Sequence, residues 1–408
     1  MVMKRPVALL LIFLFSALIF SGCQKKEDVI KIGVAGPMTG DQAKMGTDFK
    51  NGVALAVEEW NAKGGVLGKK IVILIEDDQH DPKQAVSIAN KIVNSGAAGV
   101  IGHFNSSCSI PASDVYNRGG IPMITPASTN PQLTEKGHKG VFRVCGRDDQ
   151  QGKVGAEFVI NKVKLKKIAV IHDKTTYGQG LADEFKKFVE KDVDVVYYGG
   201  IIQGDKDFKT VLTSIKQKKP ELIYFGGIYP EAGLLVRQAK ELGINAPFMS
   251  GDGTIDPKFI EIAGPKAAEG TYLTFSPDAK KIPTAKKFVE DYEKKFGELG
   301  PYSIYAYDAA NIMFTALKES EKDLDTKLSE RYNEYAKKNN RPVEKLTKDE
   351  KDNIYKILLH EITIEKLHSM EFDGALGKIK FDEKGDVTTA PYVVWITKNG
   401  KFEEFWKP

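Results

Sequence analysis

The chemistry this chain can offer is concentrated in two hydroxyl-rich stretches, Gly102-His103-Phe104-Asn105-Ser106-Ser107-Cys108-Ser109 and Ile124-Thr125-Pro126-Ala127-Ser128-Thr129. Each follows an apolar run, Ala98–Ile101 and Ile121–Ile124, and the first leads directly into a helical pattern. Small hydroxyl residues at such turns leave backbone N–H groups and side-chain oxygens free. A helix N-terminus adds unpaired donors and partial positive charge, which suits a carboxylate. Neither turn carries a nucleophile beside a base. The chemistry they offer is holding a small anion, not reacting with it. Ser106-Ser107 also fits a plain helix cap, since Ser is favoured at that position.

The elements that must position these turns alternate regularly. Apolar strands are expected at Ile30–Ala35, Ile71–Ile75, Ala98–Ile101 and Ile121–Ile124. Between them Phe49, Val53, Ala56, Val57 and Trp60, then Ala85, Ile88, Ala89, Ile92 and Val93, recur at helical spacing. The rhythm restarts near Asp149, with strands at Ile168–Ile171, Val193–Tyr198, Leu222–Phe225 and Pro247–Met249 and helices between them. Strands alternating with helices predict parallel sheets covered on both faces, and two runs predict two doubly wound α/β lobes. Ligands in such folds bind beyond the carboxyl ends of the strands, where the Ser and Thr turns lie. Helical patterns follow at Thr284–Phe296 and Tyr302–Leu317, then a densely charged helical stretch, Glu319–Met370, read as solvated faces. Late strands are expected at Leu376–Phe381 and Tyr392–Ile396.

The N-terminus reads differently. Lys4 and Arg5 precede the apolar run Val7–Phe20, broken only by Ser16, and Ser21-Gly22-Cys23 follows. This is the pattern of a secretory signal over 1–22, too short to span a bilayer comfortably. Cys23 stands where a bacterial lipoprotein carries its lipid, with 23–28 as a tether to the membrane; Phe20 replaces the usual Leu three residues earlier. Loss of Lys4 and Arg5 lowers the formal net charge from +4 to about +2, which argues against a nucleic-acid partner. The remaining Cys108 and Cys145 read as free thiols, although an exported chain also allows them to pair.

Other constellations read as structural. The cluster Glu76-Asp77-Asp78-Gln79-His80-Asp81 fits no calcium loop and leads into a Pro-started helix. His360, Glu361 and His368 lack the spacing of a zinc helix, and the chain after the signal has no nucleophile elbow, Walker loop or complete dinucleotide fingerprint. No enzyme activity, metal or cofactor is expected.

Several stretches together resemble the periplasmic leucine/isoleucine/valine-binding proteins, the solute receptors of branched-chain amino acid ABC transporters. They are Gly36-Pro37-Met38-Thr39-Gly40, Asn61-Ala62-Lys63-Gly64-Gly65, Asp77-Asp78 with Asp81-Pro82-Lys83-Gln84-Ala85-Val86, Ile124-Thr125-Pro126-Ala127, His172-Asp173-Lys174 with Tyr177-Gly178, and Gly226-Gly227 with Pro230-Glu231. The similarity runs from about Ile30 to about Phe275 and resumes at Leu376–Trp395. It implies a type I periplasmic binding fold whose lobes, joined by crossover hinge strands, close on a ligand. Lobe 1 would comprise 29–147 and 275–385, with the charged insertion at about 319–370; lobe 2 would comprise 148–274 and 386–408.

The resemblance also implies roles. Ser106 and Thr129 would hold an α-carboxylate, the Ala127 carbonyl and Thr129 hydroxyl would meet the α-ammonium, and Asp252 would pair with it. Ser128 and Asn105 lie in the same turns; Tyr177 would cover the ligand and Tyr302 would flank it, while Phe104 is either pocket wall or lobe core. Met45 and Ile228 replace tyrosines common in the family, and His80 and Asn105 stand where some members have a disulfide. Asp252 replaces the Glu of reference members. The expected function is therefore an exported, membrane-tethered, monomeric receptor that passes a branched-chain or other neutral amino acid to an ABC permease. A sensory receptor for an amino acid or amide, without a permease, is the alternative.

Overall fold

The computed structural model describes residues 28–408, so the signal, Cys23 and most of the tether lie outside the described residues. β1 (Val29–Gly36), β2 (Lys70–Asp77), β3 (Gly99–Gly102), β4 (Met123–Thr125) and β5 (Val141–Arg143) form one parallel sheet in the order β2-β1-β3-β4-β5. β6 (Lys167–His172), β7 (Asp194–Gly200), β8 (Leu222–Gly226), β9 (Phe248–Ser250) and β10 (Tyr272–Phe275) belong to a second sheet. A small hairpin, β11 (Glu371–Gly374) and β12 (Gly377–Lys380), precedes β13 (Val393–Lys398) and β14 (Lys401–Trp406), which return to the second sheet. Its order is β14-β13-β10-β9-β8-β6-β7, with β13 antiparallel to both neighbours. The architecture is two doubly wound α/β lobes, as the alternation requires.

The central strands are apolar throughout because helices cover both faces. Every residue of β3, β4 and β8 is buried. The chain crosses between the sheets after β5, after β10 and before β13. The first and third crossings touch: the Arg143 N–H donates to the Gly385 carbonyl at 3.0 Å, and Arg143 bridges Asp386.

The acidic turn after β2 is structural. Asp77 accepts the Met38 and Gln79 N–H groups, Asp78 accepts the His80 N–H and contacts His103 Nδ1 at 2.7 Å, and Asp81 caps the helix Pro82–Asn94 through the Gln84 N–H. Among the described residues no group of His, Cys, Asp and Glu is arranged to hold a metal. Cys108 and Cys145 are buried and unpaired, and burial pushes both thiols up, away from reactive thiolates.

The charged C-terminal stretch differs from its expected form. The helix does not stop near Leu317 but runs from Ser303 to Lys338, and Lys348–Ser369 returns against it. Nothing breaks it, since residues 318–338 hold no Gly or Pro and Lys322 pairs with Glu319 one turn back. The apolar positions at helical spacing face inward: Leu324 is buried, and Tyr332 and Tyr335 pack on Ala336, Leu346 and Ile354. The return helix docks on the first lobe through His360, whose Nε2–H donates to the Ala97 carbonyl at 3.0 Å.

Burial and neighbouring Lys356 lower the His360 pKa to about 4. The unfolded chain takes this proton near the ordinary value of 6.5 and the folded chain does not, so stability falls as pH drops from about 6.5 to 4. The contribution reaches up to about 3 kcal/mol at the acid end. His360→Gln is expected to lessen the fall in urea midpoint between pH 7 and pH 5; an unchanged pH dependence would show that this histidine does not set it.

Candidate functional site

Both hydroxyl-rich turns stand at the carboxyl edge of the first sheet, locked to each other. The helix Ser106–Arg118 is capped by Asn105 without a side-chain capping bond, so Ser106 is not the cap. Its Oγ instead accepts the Asn130 N–H at 3.2 Å. Thr125 Oγ1 donates to the His103 carbonyl at 2.7 Å and accepts the Ala127 and Ser128 N–H groups. Ser128 is consumed structurally, with Oγ 2.6 Å from Ser109 Oγ and donating to the Phe104 carbonyl at 2.9 Å.

Arg143, fully buried, supports this second turn from beneath. Its Nη1 donates to the carbonyls of Ser128 (2.9 Å) and Asn130 (3.0 Å), its Nη2 to Thr134 Oγ1 (2.6 Å), and its Nε to Asp386 (2.5 Å). A charge in the short strand β5 is thus the anchor of the hydroxyl turn.

Asp252 follows β9 and is buried between one tyrosine from each side of the cleft. Tyr177, in a helix capped by Thr175, donates to Oδ1 at 2.8 Å; Tyr302, just before the helix Ser303–Lys338, donates to Oδ2 at 2.7 Å. The Gly253 N–H donates to the Tyr177 hydroxyl at 2.9 Å. A Cβ at Gly251 would sit 2.3 Å from Leu181, and one at Gly253 2.9 Å from the Tyr177 ring, so the glycines flanking Asp252 permit this approach. Burial pushes the Asp252 carboxyl up, opposed by hydrogen bonds from Tyr302 and Tyr177. Both phenols are pushed well up as well and remain protonated donors.

Phe104, Asn105, Ser106, Ala127, Tyr177, Ile228, Asp252 and Tyr302 line one cavity between the lobes. Phe104 is a wall of it, with its ring edge-on to Tyr302 at 5.0 Å. The lobes are closed: the cavity measures about 10 Å³, room for at most one water. Asn130 Nδ2 donates to the Thr176 carbonyl across the gap, and the Tyr229 hydroxyl donates to the Asp41 carbonyl, beside which Lys206 pairs with the Asp41 carboxylate.

Three expected positions stand elsewhere. Met45 is buried in the first lobe's core, and Ser128 is held as above. Thr129 opens onto a second, larger cavity of about 280 Å³, bounded by all three crossings and sharing Asp252 and Tyr302 with the first. Its Oγ1 is buried beside the Asp148 carboxylate, toward which it donates.

Sequence reasoning missed Arg143, Tyr229 as a closure contact, and Asp148. Asp148 opens the helix Asp148–Glu157, donates its N–H to the Thr129 carbonyl at 2.9 Å, and is fully buried. Burial and nearby Asp252 push its carboxyl well up. Its place in a helix's first turn resembles ordinary capping, and nothing local signals burial.

The family model for the periplasmic binding proteins matches residues 29–401. An amino acid binding protein of Pseudomonas aeruginosa is 40% identical over 382 residues, 92% of each chain. The Leu/Ile/Val-binding protein homolog 2 of Brucella abortus is 38% identical, covering 96% of this chain and 97% of its own. Among solved structures, the leucine binding protein LivK of Thermotoga maritima has a TM-score of 0.78 at 30% identity, covering 93% of this chain and 99% of its own. LivJ of Streptococcus pneumoniae, in complex with isoleucine, has a TM-score of 0.77 at 28% identity, covering 93% of this chain and all of its own.

Proposed function

The chain belongs to the periplasmic binding protein family, among the substrate-binding proteins of branched-chain amino acid ABC transporters, and we propose that it captures a neutral α-amino acid between its lobes and delivers it to a permease. The observation that carries this reading is Asp252, a buried carboxylate bridged by Tyr177 and Tyr302, facing the same cavity as Ser106 at a helix N-terminus. A carboxylate at one end and helix donors at the other complement a zwitterion, and both charges are desolvated only when paired. Ser106, at its helix N-terminus, holds the carboxylate; Asp252, with the Ala127 carbonyl, meets the ammonium; Tyr177 and Tyr302 cover the ligand, and Thr129, which fronts the neighbouring cavity, supports the turn from the hinge side. Lobe 1 comprises 29–147 and 275–385, lobe 2 148–274 and 386–408, and the crossings form the hinge. The protein is exported, cleaved before Cys23 and anchored there by lipid, acting as a monomer.

The reading is tested by calorimetric titration of a body beginning at Gln24, unfolded and refolded to remove carried ligand. Leucine, isoleucine, valine and other amino acids and amides are the panel. One-to-one saturable binding of a neutral amino acid is the expected result; absence of binding by every α-amino acid would remove the zwitterion clamp.

A further inference from the structure

Where the lobes meet beside the cleft, charge is distributed unevenly. Lys44, in the second position of the helix Ala43–Ala62 of lobe 1, lines a groove of about 440 Å³ between the lobes. Lys206, Tyr229 and Lys258 of lobe 2 belong to its other wall. Lys44 pairs with Asp48 one turn on, a buried carboxylate to which the Tyr292 hydroxyl also donates at 3.5 Å.

Asp256 of lobe 2 approaches this pair from the opposite side. It is fully buried, and its Oδ1 caps the helix Pro257–Ala263 by accepting the Lys258 N–H at 2.8 Å. Its Oδ2 has no hydrogen-bond partner among the described residues. The two lysines whose charges act on it are engaged elsewhere, Lys44 with Asp48 and Lys258 with Glu261. The Tyr229 phenol faces Asp256 and Asp48, and Asp41 and Glu231 as well. Burial pushes the Asp48 carboxyl up to about 6, with Asp256 adding to the rise and Lys44 opposing it; burial raises Asp256 too.

Two buried carboxylates from opposite lobes thus share one interlobe lysine, and a single proton completes the balance. Resting on the amino-acid reading above, we propose that Lys44, Asp48 and Asp256 form an interlobe latch that closes with uptake of one proton. Parting the lobes separates Asp256 from the Lys44–Asp48 pair and returns the proton to water. Closure, and capture with it, is therefore favoured by acid. A carboxyl that holds its proton more tightly in the closed form strengthens that form as pH falls from about 6 toward the ordinary value of 3.8. Lys44 is a positioning residue here, acting on the lobes and not on the cargo.

The test compares the refolded body with its Asp256→Asn, Lys44→Met and Lys44→Arg variants by leucine titration at pH 8 and pH 5. Lobe separation in the same proteins without ligand is followed by energy transfer between dyes on Lys83→Cys and Lys209→Cys, both exposed positions. Asparagine keeps the helix cap and supplies permanently the neutral group that the proton otherwise makes. The ratio of affinities at pH 5 and pH 8 is expected to be about three- to tenfold smaller in Asp256→Asn than in the parent. In Lys44→Met the carboxylates face each other without their cation, so that ratio should grow by about threefold or more, and Lys44→Arg should restore the parent value. The Lys44 side chain is 38% exposed, so its variants fold even if Asp256→Asn does not. Titration of Asp252 is common to all four proteins and cancels in the comparison. The closed fraction without ligand should move in the same directions. A merely structural role would shift affinity equally at both pH values, and one ratio shared by the parent, Asp256→Asn and Lys44→Met overturns the latch. The expected changes in energy transfer while no α-amino acid binds would leave the latch standing and overturn the amino-acid reading instead.

Discussion

Replacing Asp386 with alanine is expected to lower the free energy of unfolding by about 3–5 kcal/mol, the cost of leaving a buried charge without its partner. Arg143 is fully buried, and Asp386 is the carboxylate that faces its Nε, at 2.5 Å. The same carboxylate accepts from Arg147 Nη1 at 2.6 Å and from the Thr134 hydroxyl at 3.0 Å. Burial alone would raise its pKa, but Arg143 and Arg147 outweigh that and hold it below the usual range. Its stabilisation is therefore present above the ordinary carboxylate pKa and lost as pH falls through the depressed one. Urea unfolding of Asp386→Ala, Arg143→Met and the double variant measures the effect. The double variant should cost less than the two single ones added, since it leaves no isolated guanidinium. A loss under about 1 kcal/mol in Asp386→Ala would mean that Arg143 finds water or another acceptor.

Asp252→Asn is expected to separate stability from binding. The carboxyl is raised by burial, so at neutral pH its ionised form costs the empty protein stability, a cost that grows as pH rises from the unfolded to the folded pKa. Asparagine keeps an acceptor for Tyr177 and offers Tyr302 a donor in place of an acceptor. The empty variant should therefore melt no lower than the parent. Amino-acid affinity should fall by about 2–5 kcal/mol, because the ammonium loses a desolvated partner. Thermal melts and calorimetry on the same preparation give both quantities. A variant that melts markedly lower, or binds within about threefold of the parent, would remove Asp252 from its assigned place.

The sheets were legible because their signals are long-range averages: period, alternation and strand length repeat over hundreds of residues. Short and edge elements were not. Val141–Arg143 is three residues long and carries an arginine whose burial depends on Asp386, distant in sequence. β14 reads Lys-Phe-Glu-Glu-Phe-Trp, with no clean alternation, yet the Asn399-Gly400 turn before it is a hairpin signal. Both residues adopt positive φ, and β13 and β14 pair across them.

In the site, the two turns were visible as residue types following apolar strands, while the tyrosine–aspartate group was legible only through the family resemblance. What the spacing could not convey is which side of Asp252 is open. Thr129 and Ser106 come from adjacent turns yet front different cavities, and that depends on how Tyr302 divides the space. Tyr229 directly follows Ile228, and nothing local signals that its hydroxyl reaches the Asp41 backbone across the gap.

These closure contacts have a kinetic consequence. Asn130 to Thr176, Tyr229 to Asp41 and Tyr302 to Asp252 are bonds made directly from one lobe to the other. Bonds of this kind favour the closed form over the open one, and so help to set how long a closed molecule retains what it holds. Strengthening any of these bonds slows release of a captured solute, and loosening one shortens its stay.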